Sequence, residues 1–113
     1  MAFLPQRNFV EDILANNYNL NNGTTAFTST NIAEYNTFSI QINTTGLSGS
    51  NRFVLEQSND GSNWIPINED IYVLDLGSGA LSIQKTNFSG KYLRVRLLDA
   101  GNGTITIILI SKR

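Results

Sequence analysis

The chain has 113 residues, a formal net charge of -1, 41% hydrophobic and 15% charged residues, and neither histidine nor cysteine. A chain of this length makes one domain and buries enough apolar surface to fold without disulfides or a metal. The missing side chains exclude the Ser-His-Asp triad, the Cys-His dyad and ordinary zinc sites, and the near-zero charge argues against nucleic-acid binding. The composition therefore favours a domain that is not an enzyme and needs no cofactor.

The first 23 residues predict an arm. They are rich in asparagine and end in Asn21-Asn22-Gly23. Within them Asn8 and Glu11 have capping-box spacing, and four apolar residues share one helical face, which predicts a helix of about two turns. So short a helix needs a surface to pack on, either its own domain or a neighbouring subunit. The apolar residues of the arm that we expect to bind a partner are Phe3, Leu4, Phe9, Val10, Ile13 and Leu14.

The N-terminal stretch also lacks the basic start and the long apolar run of a secretion signal. No later stretch reaches the 18 apolar residues that a membrane-spanning helix needs. We therefore expect a soluble protein that is made in the cytoplasm and has no membrane partner.

From residue 24 to residue 113 the hydrophobic period is two, and glycine- and asparagine-rich turns separate the segments. Within the strands, Phe38, Ile40 and Ile42 alternate with polar residues, so each sheet should bury one face. Short strands of this kind bury their apolar faces best in an all-β, two-sheet antiparallel β-sandwich of jelly-roll or immunoglobulin-like order. The predicted strands are residues 24–30, 35–43, 52–58, 70–76, 80–85, 91–98 and 104–110.

The last predicted strand is apolar on both sides. Ile105, Ile107 and Leu109 occupy one face, while Ile108 and Ile110 occupy the other. A strand of this kind is either central and covered on both faces, or it presents its second face to a partner. In the second case Ile108 and Ile110 are the partner-facing residues.

Candidate chemical sites are weak. Most of the carboxylates lie beside turns, where aspartate is expected for local hydrogen bonding, and no catalytic pair can be assigned. Oxygen donors around two turns could hold calcium, but the same residues suit ordinary hairpin turns, so no metal is predicted. These donors are Asn59, Asp60, Asn63, Asn68, Glu69 and Asp70.

Two further features have competing interpretations. The charged stripe of Lys91, Arg94 and Arg96 is expected to pair with acids such as Glu56 across the sheet rather than to bind phosphate. Trp64 could be a platform for sugar stacking, but a lone tryptophan at the start of a strand is more often a structural core anchor. We therefore expect Trp64 in the core.

Several segments resemble small β-sandwich structural proteins of tailed bacteriophages. They are the Phe-Ser-Ile-Gln-Ile strand at residues 38–42, the turn with Gly46 and Gly49, the Gln-Ser-Asn-Asp-Gly-Ser-Asn-Trp unit at residues 57–64, and the Gly-Lys-Tyr-Leu-Arg-Val strand at residues 90–95. The similarity covers roughly residues 35–98. It implies a virion component that is assembled in the host cytoplasm: an auxiliary capsid (decoration) protein, a head fibre or a tail accessory. The implied partner is the major capsid protein or another virion protein, with self-association also open.

The Ser-Asn-Asp-Gly-x-x-Trp unit followed by Tyr-Leu-Arg-Val also resembles the second half of discoidin-type carbohydrate-binding modules. This second resemblance implies a glycan-binding module, although that family usually has a longer chain and a secretion signal. A binding module of this type is therefore the alternative function.

Overall fold

The computed structural model of the protein describes residues 9–67, 71–74, 78–85 and 90–112. Within these ranges the chain forms nine β-strands and one short 3-10 helix at Leu20–Asn22. The strands are β1 (Phe9–Asn19), β2 (Ala26–Thr28), β3 (Thr37–Ser48), β4 (Arg52–Ser58), β5 (Ile65–Pro66), β6 (Tyr72–Val73), β7 (Gly79–Lys85), β8 (Tyr92–Asp99) and β9 (Asn102–Lys112).

The strands form two antiparallel sheets that pack together. The first sheet has the order β1-β9-β3-β7. The second has the order β2-β8-β4-β5, and β6 pairs with another part of β4. The predicted all-β, sandwich-like architecture is therefore confirmed. In the described part of the chain, no helix has the length and apolar character needed to cross a membrane.

The core lies between the sheets and is formed by the inward positions of their strands. The predicted alternation is confirmed, because Phe38, Ile40 and Ile42 of β3 are buried, as are Leu93, Val95 and Leu97 of β8. Burying each such side chain contributes about 1.5–3 kcal/mol. The other buried hydrophobic residues are Ala15, Leu20, Ile32, Phe53, Leu55, Leu74, Ile83, Ile105, Ile107 and Leu109.

The predicted N-terminal helix is wrong, because Phe9–Asn19 forms β1 at the edge of the first sheet. The strand pairs with β9 from Phe9, opposite Lys112, to Asn19, opposite Thr104. An isolated two-turn helix is marginal in water, whereas pairing with β9 supplies interstrand hydrogen bonds. The predicted boundary at residue 23 falls between β1 of one sheet and β2 of the other.

Irregularities in β1 explain why its sequence does not alternate cleanly. The register shifts between Ile13 and Ala15 and again between Ala15 and Tyr18. Bulges of this kind turn successive side chains away from strict alternation. The carboxylate of Asp12 then joins the two sheets, because it accepts hydrogen bonds from the backbone amide of Thr30 at 3.2 Å and from its hydroxyl at 2.8 Å.

Candidate binding surfaces

The outward side of the first sheet, which we call the first-sheet face, has an apolar stripe along β1 and β9. Phe9 and Ile13 are 41% and 58% exposed. In the β1–β9 register, Ile13 lies opposite Ile108, and Ile110 lies opposite Glu11 on the same outward side. Ile108 and Ile110 are half-buried. The four apolar residues therefore form one continuous surface across the two strands.

The rest of the first-sheet face is polar and almost uncharged. Among the described residues, the only outward positions that carry an ionisable side chain are Glu11 and Lys112, as the register with β3, β7 and β9 shows. Glutamine, asparagine, serine and threonine occupy most of the others. The outward positions of β3, β7 and the start of β9 are Thr37, Ser39, Gln41, Asn43, Thr45, Ala80, Ser82, Gln84, Thr104 and Thr106.

The structure separates the partner-binding residues predicted for the arm. Phe9 and Ile13 lie on the first-sheet face beside Ile108 and Ile110. Val10 and Leu14 instead pack against the core. Phe3 and Leu4 lie outside the described residues. The expected partner-facing positions of β1 and β9 are thus brought together, although the sequence assigned them to different elements.

The outward side of the second sheet is charged, in contrast to the first-sheet face. The Oε1 atom of Glu56 accepts hydrogen bonds from the Nε atoms of Arg94 at 2.7 Å and Arg96 at 3.0 Å. The predicted pairing of the arginine stripe with Glu56 is confirmed. Burial acts to raise the pKa of Glu56, but the hydrogen bonds and charges of Arg94 and Arg96 outweigh it and hold that pKa below its ordinary value.

Trp64 is not a core anchor. It is half-buried and does not belong to the core cluster. The guanidinium carbon of Arg94 lies 4.3 Å from the centre of its ring, an arrangement that gives a cation–π contact. The indole packs on the outward side because Arg94 projects there, away from Leu93 and Val95. Arg94 thus covers one ring face that a sugar would need for stacking.

A second set of exposed apolar residues lies along the edge of the second sheet. One is on β5, one is on β6, and one directly precedes β6. We call this set the second-sheet edge. Ile65, Ile71 and Val73 are 63%, 52% and 56% exposed. A cleft of about 350 Å³ adjoins Val73 and is lined also by Leu47 and Leu74. Sequence analysis did not identify this edge, because it depends on the pairing of β5 and β6 along β4, where Ile65 lies opposite Gln57 and Val73 lies opposite Arg52.

The turn around Asp60, whose oxygen atoms were considered as possible calcium ligands, is held by internal hydrogen bonds. The Asp60 carboxylate accepts bonds from the backbone amides of Ser62 and Asn63, from the Asn63 side chain and from the Ser58 hydroxyl. These donors, led by the Asn63 amide, hold the pKa of Asp60 well below its usual range. Within the described ranges no group of three or more acidic, histidine or cysteine residues could hold a metal ion. Asn68, Glu69 and Asp70 lie outside those ranges.

Comparisons with known proteins identify the fold. No protein-family model matches the chain, and no curated protein matches its sequence. The SPBc2 prophage-derived protein YomS matches over 100% of both chains with a TM-score of 0.68 and 7% sequence identity. A structure of Bacillus endospore appendages, described as a novel family of disulfide-linked pili, matches over 99% of this chain and 94% of its own with a TM-score of 0.56 and 14% identity.

The fold and surfaces define a class: a small two-sheet β-sandwich with two exposed apolar surfaces. Its solved structural neighbours include a prophage-derived protein. At these identities the likeness shows the fold alone.

Proposed function

We propose that the protein is a structural virion protein of a tailed phage, specifically an auxiliary capsid (decoration) protein that binds and reinforces the capsid shell. The protein acts by binding, without catalysis or a cofactor, and it is located on the capsid after assembly in the host cytoplasm. The observation that carries the proposal is the presence of two exposed apolar surfaces at opposite edges of one small sandwich.

The strand order supports their separation. β1 and β2 lie at one edge of the sandwich, where Asp12 of β1 contacts Thr30 just after β2. β5 and β6 lie at the far side of β4, three strands away from β2. Exposed apolar patches on a small protein mark contact surfaces, and two separate patches allow one molecule to join two partners. A protein that covers joints in a shell needs this property, since modest contacts gain strength through repetition.

The structural neighbours support the same class of role. One is a prophage-derived protein, and the other comes from endospore appendages described as disulfide-linked pili. Both match nearly the whole of this chain. In our proposal the second-sheet edge contacts the shell protein.

The test is add-back of purified protein to particles from the native source that have been stripped of it. Ile65→Glu and Val73→Glu place charges on exposed positions of the second-sheet edge, and each should weaken particle binding by about tenfold or more. Thr28→Glu is the matched control, because it adds the same charge at an exposed position of the other edge. Binding by both edge variants at wild-type occupancy would contradict the proposal. A tryptophan fluorescence response to glycans would favour the carbohydrate-binding alternative.

A further inference from the structure

We infer that the first-sheet face is a twofold contact between two copies of this chain, packed face to face. The pairing goes beyond the proposed function, because it is a property of the chain alone and requires no particle. Its centre is the part of the face where Phe9, Glu11, Ile110 and Lys112 meet across β1 and β9.

The first argument is the difference between the two outward sides of the sandwich. The second sheet carries Glu56, Arg94 and Arg96 in the middle of its outward side. The first-sheet face carries an apolar stripe and a field of uncharged polar side chains over its described positions. Lysine, glutamate and aspartate are less frequent in protein interfaces than on the rest of a protein surface. The first-sheet face is therefore built for contact with protein.

The second argument is size. A sheet of four strands, spaced by about 4.8 Å and rising by about 3.3 Å per residue, presents roughly 700 Å² for strands as long as β1, β3 and β9. A stable protein–protein interface buries about 800 Å² on each partner. A contact centred on Phe9, Glu11, Ile110 and Lys112 lies at one corner of the face and covers only part of this area, so we expect a weak, reversible dimer.

The third argument is charge complementarity, which favours a second copy over a different partner. Phe9 lies opposite Lys112 and Glu11 lies opposite Ile110, so Glu11 and Lys112 are diagonal neighbours on the face. A twofold axis in the plane of the interface and midway between them sets Glu11 of each copy against Lys112 of the other. The two charges of the face are thereby matched, and the apolar residues beside the axis meet their own copies.

The edge of β1 is a poorer place for self-pairing than the face. Two β1 strands that pair antiparallel through their regular segment, residues 9–13, would bring the neighbouring acids Glu11 and Asp12 of both copies together. The register shifts after Ile13 also interrupt the regular backbone that an added strand needs. These features block edge-to-edge pairing and leave the face as the contact.

The first experiment measures the mass of the full-length protein by sedimentation equilibrium over a concentration series. We expect a reversible dimer. Ile13→Glu and Ile108→Glu should each weaken dimerisation by about tenfold or more, since each buries an unpaired charge in the contact. Thr28→Glu, on the second sheet, should change it by less than about twofold. Circular dichroism confirms that each variant is folded, and Ile13 is the safer site because it is 58% exposed.

The second experiment tests the predicted charge pair directly. Glu11→Lys and Lys112→Glu each place like charges against one another in a homodimer, and each should weaken it by about threefold to tenfold. An equimolar mixture of the two variants should restore dimerisation, because every contact between unlike copies is again between opposite charges. The repulsion within each copy is unchanged by mixing, so recovery reports the contact between copies.

A monomeric wild-type protein at all concentrations would overturn the inference. A dimer that tolerates Ile13→Glu and Ile108→Glu, or a mixture that stays as weak as its components, would overturn it too. Neither result depends on particle binding. Loss of this dimer and loss of the shell contact at the second-sheet edge are therefore distinguishable.

Discussion

Glu56 organises the outward side of the second sheet. The side chain sits on β4 directly opposite Arg94 of β8, and a single carboxylate oxygen accepts bonds from two guanidinium groups. Glu56 is only 5% exposed although it lies on the outward side. A buried carboxylate is stable only when it is paired with cations. Removing the charge of Glu56 would in turn leave Arg94 and Arg96 without their anionic partner. Arg94 is held in place in turn and stacks over Trp64.

Replacing this carboxylate should therefore destabilise the protein. Glu56→Gln is expected to lower the free energy of unfolding at pH 7 by about 2 kcal/mol, measured by urea denaturation. Asp99→Asn is the control, because the Arg52–Asp99 pair is more exposed, with 44% and 30% of the two side chains accessible. An exposed pair contributes about 0–1 kcal/mol. Equal stability of Glu56→Gln and wild type would contradict this role.

Glu56 also makes the free energy of unfolding depend on pH, and the direction of that dependence follows from its pKa. The pKa of Glu56 in the folded protein lies below its ordinary value of 4.5, so its contribution is fully present above that value. It is lost as the pH falls from there through the folded pKa. The difference in stability between wild type and Glu56→Gln should therefore shrink on acidification below about pH 4.5.

At the level of elements, the first residues of β9 pass close to β3. Gly103 has a φ of 110°, and a Cβ atom there would lie 2.7 Å from the carbonyl oxygen of Gly46 and 2.8 Å from that of Thr45. Both the backbone angle and the close approach require glycine. This close approach thus fixes where β9 enters the sheet between β1 and β3.

Gly103→Ala should therefore cost about 2 kcal/mol or more of unfolding free energy, by strain and by steric overlap. Gly46→Ala is the matched control, since Gly46 also has a positive φ, of 64°, but has open space around its Cβ position. It should cost about 1 kcal/mol. Thermal denaturation of both variants measures the difference, and equal losses would show that the close approach does not constrain the start of β9.

The elements that the sequence predicted well are those whose side chains alternate. β4 has the predicted bounds, and β8 and β9 differ from prediction by one or two residues at each end. β1 could not be predicted, because its apolar spacing fits a helical face and also fits a bulged strand. Only the pairing of Phe9–Asn19 with β9, some 90 residues later, decides between them.

The candidate surfaces were predictable only in part. Ile108 and Ile110 were recognised from the two-sided pattern of β9, and Phe9 and Ile13 from their apolar character. Their juxtaposition depends on the β1–β9 register, which no local pattern contains. Trp64 was misplaced for the same reason, since its position depends on the cation of a distant strand, Arg94.

At the scale of the whole molecule, the two sheets present different outward surfaces. The second sheet presents its ion-paired arginines on its outward side and exposed apolar residues at its edge. The first sheet presents a nearly uncharged face over the described positions. In our account the first-sheet face joins two copies and the second-sheet edge contacts a shell. A dimer of this kind would offer two shell contacts, which strengthens attachment through effective concentration.

The most direct test of the virion role is density-gradient sedimentation of lysate from the native source, followed by mass spectrometry of each fraction. The protein should migrate with the most abundant particle protein and keep a fixed copy ratio to it through repeated washing. Recovery of the protein solely among the soluble proteins at the top of the gradient would contradict the proposed function.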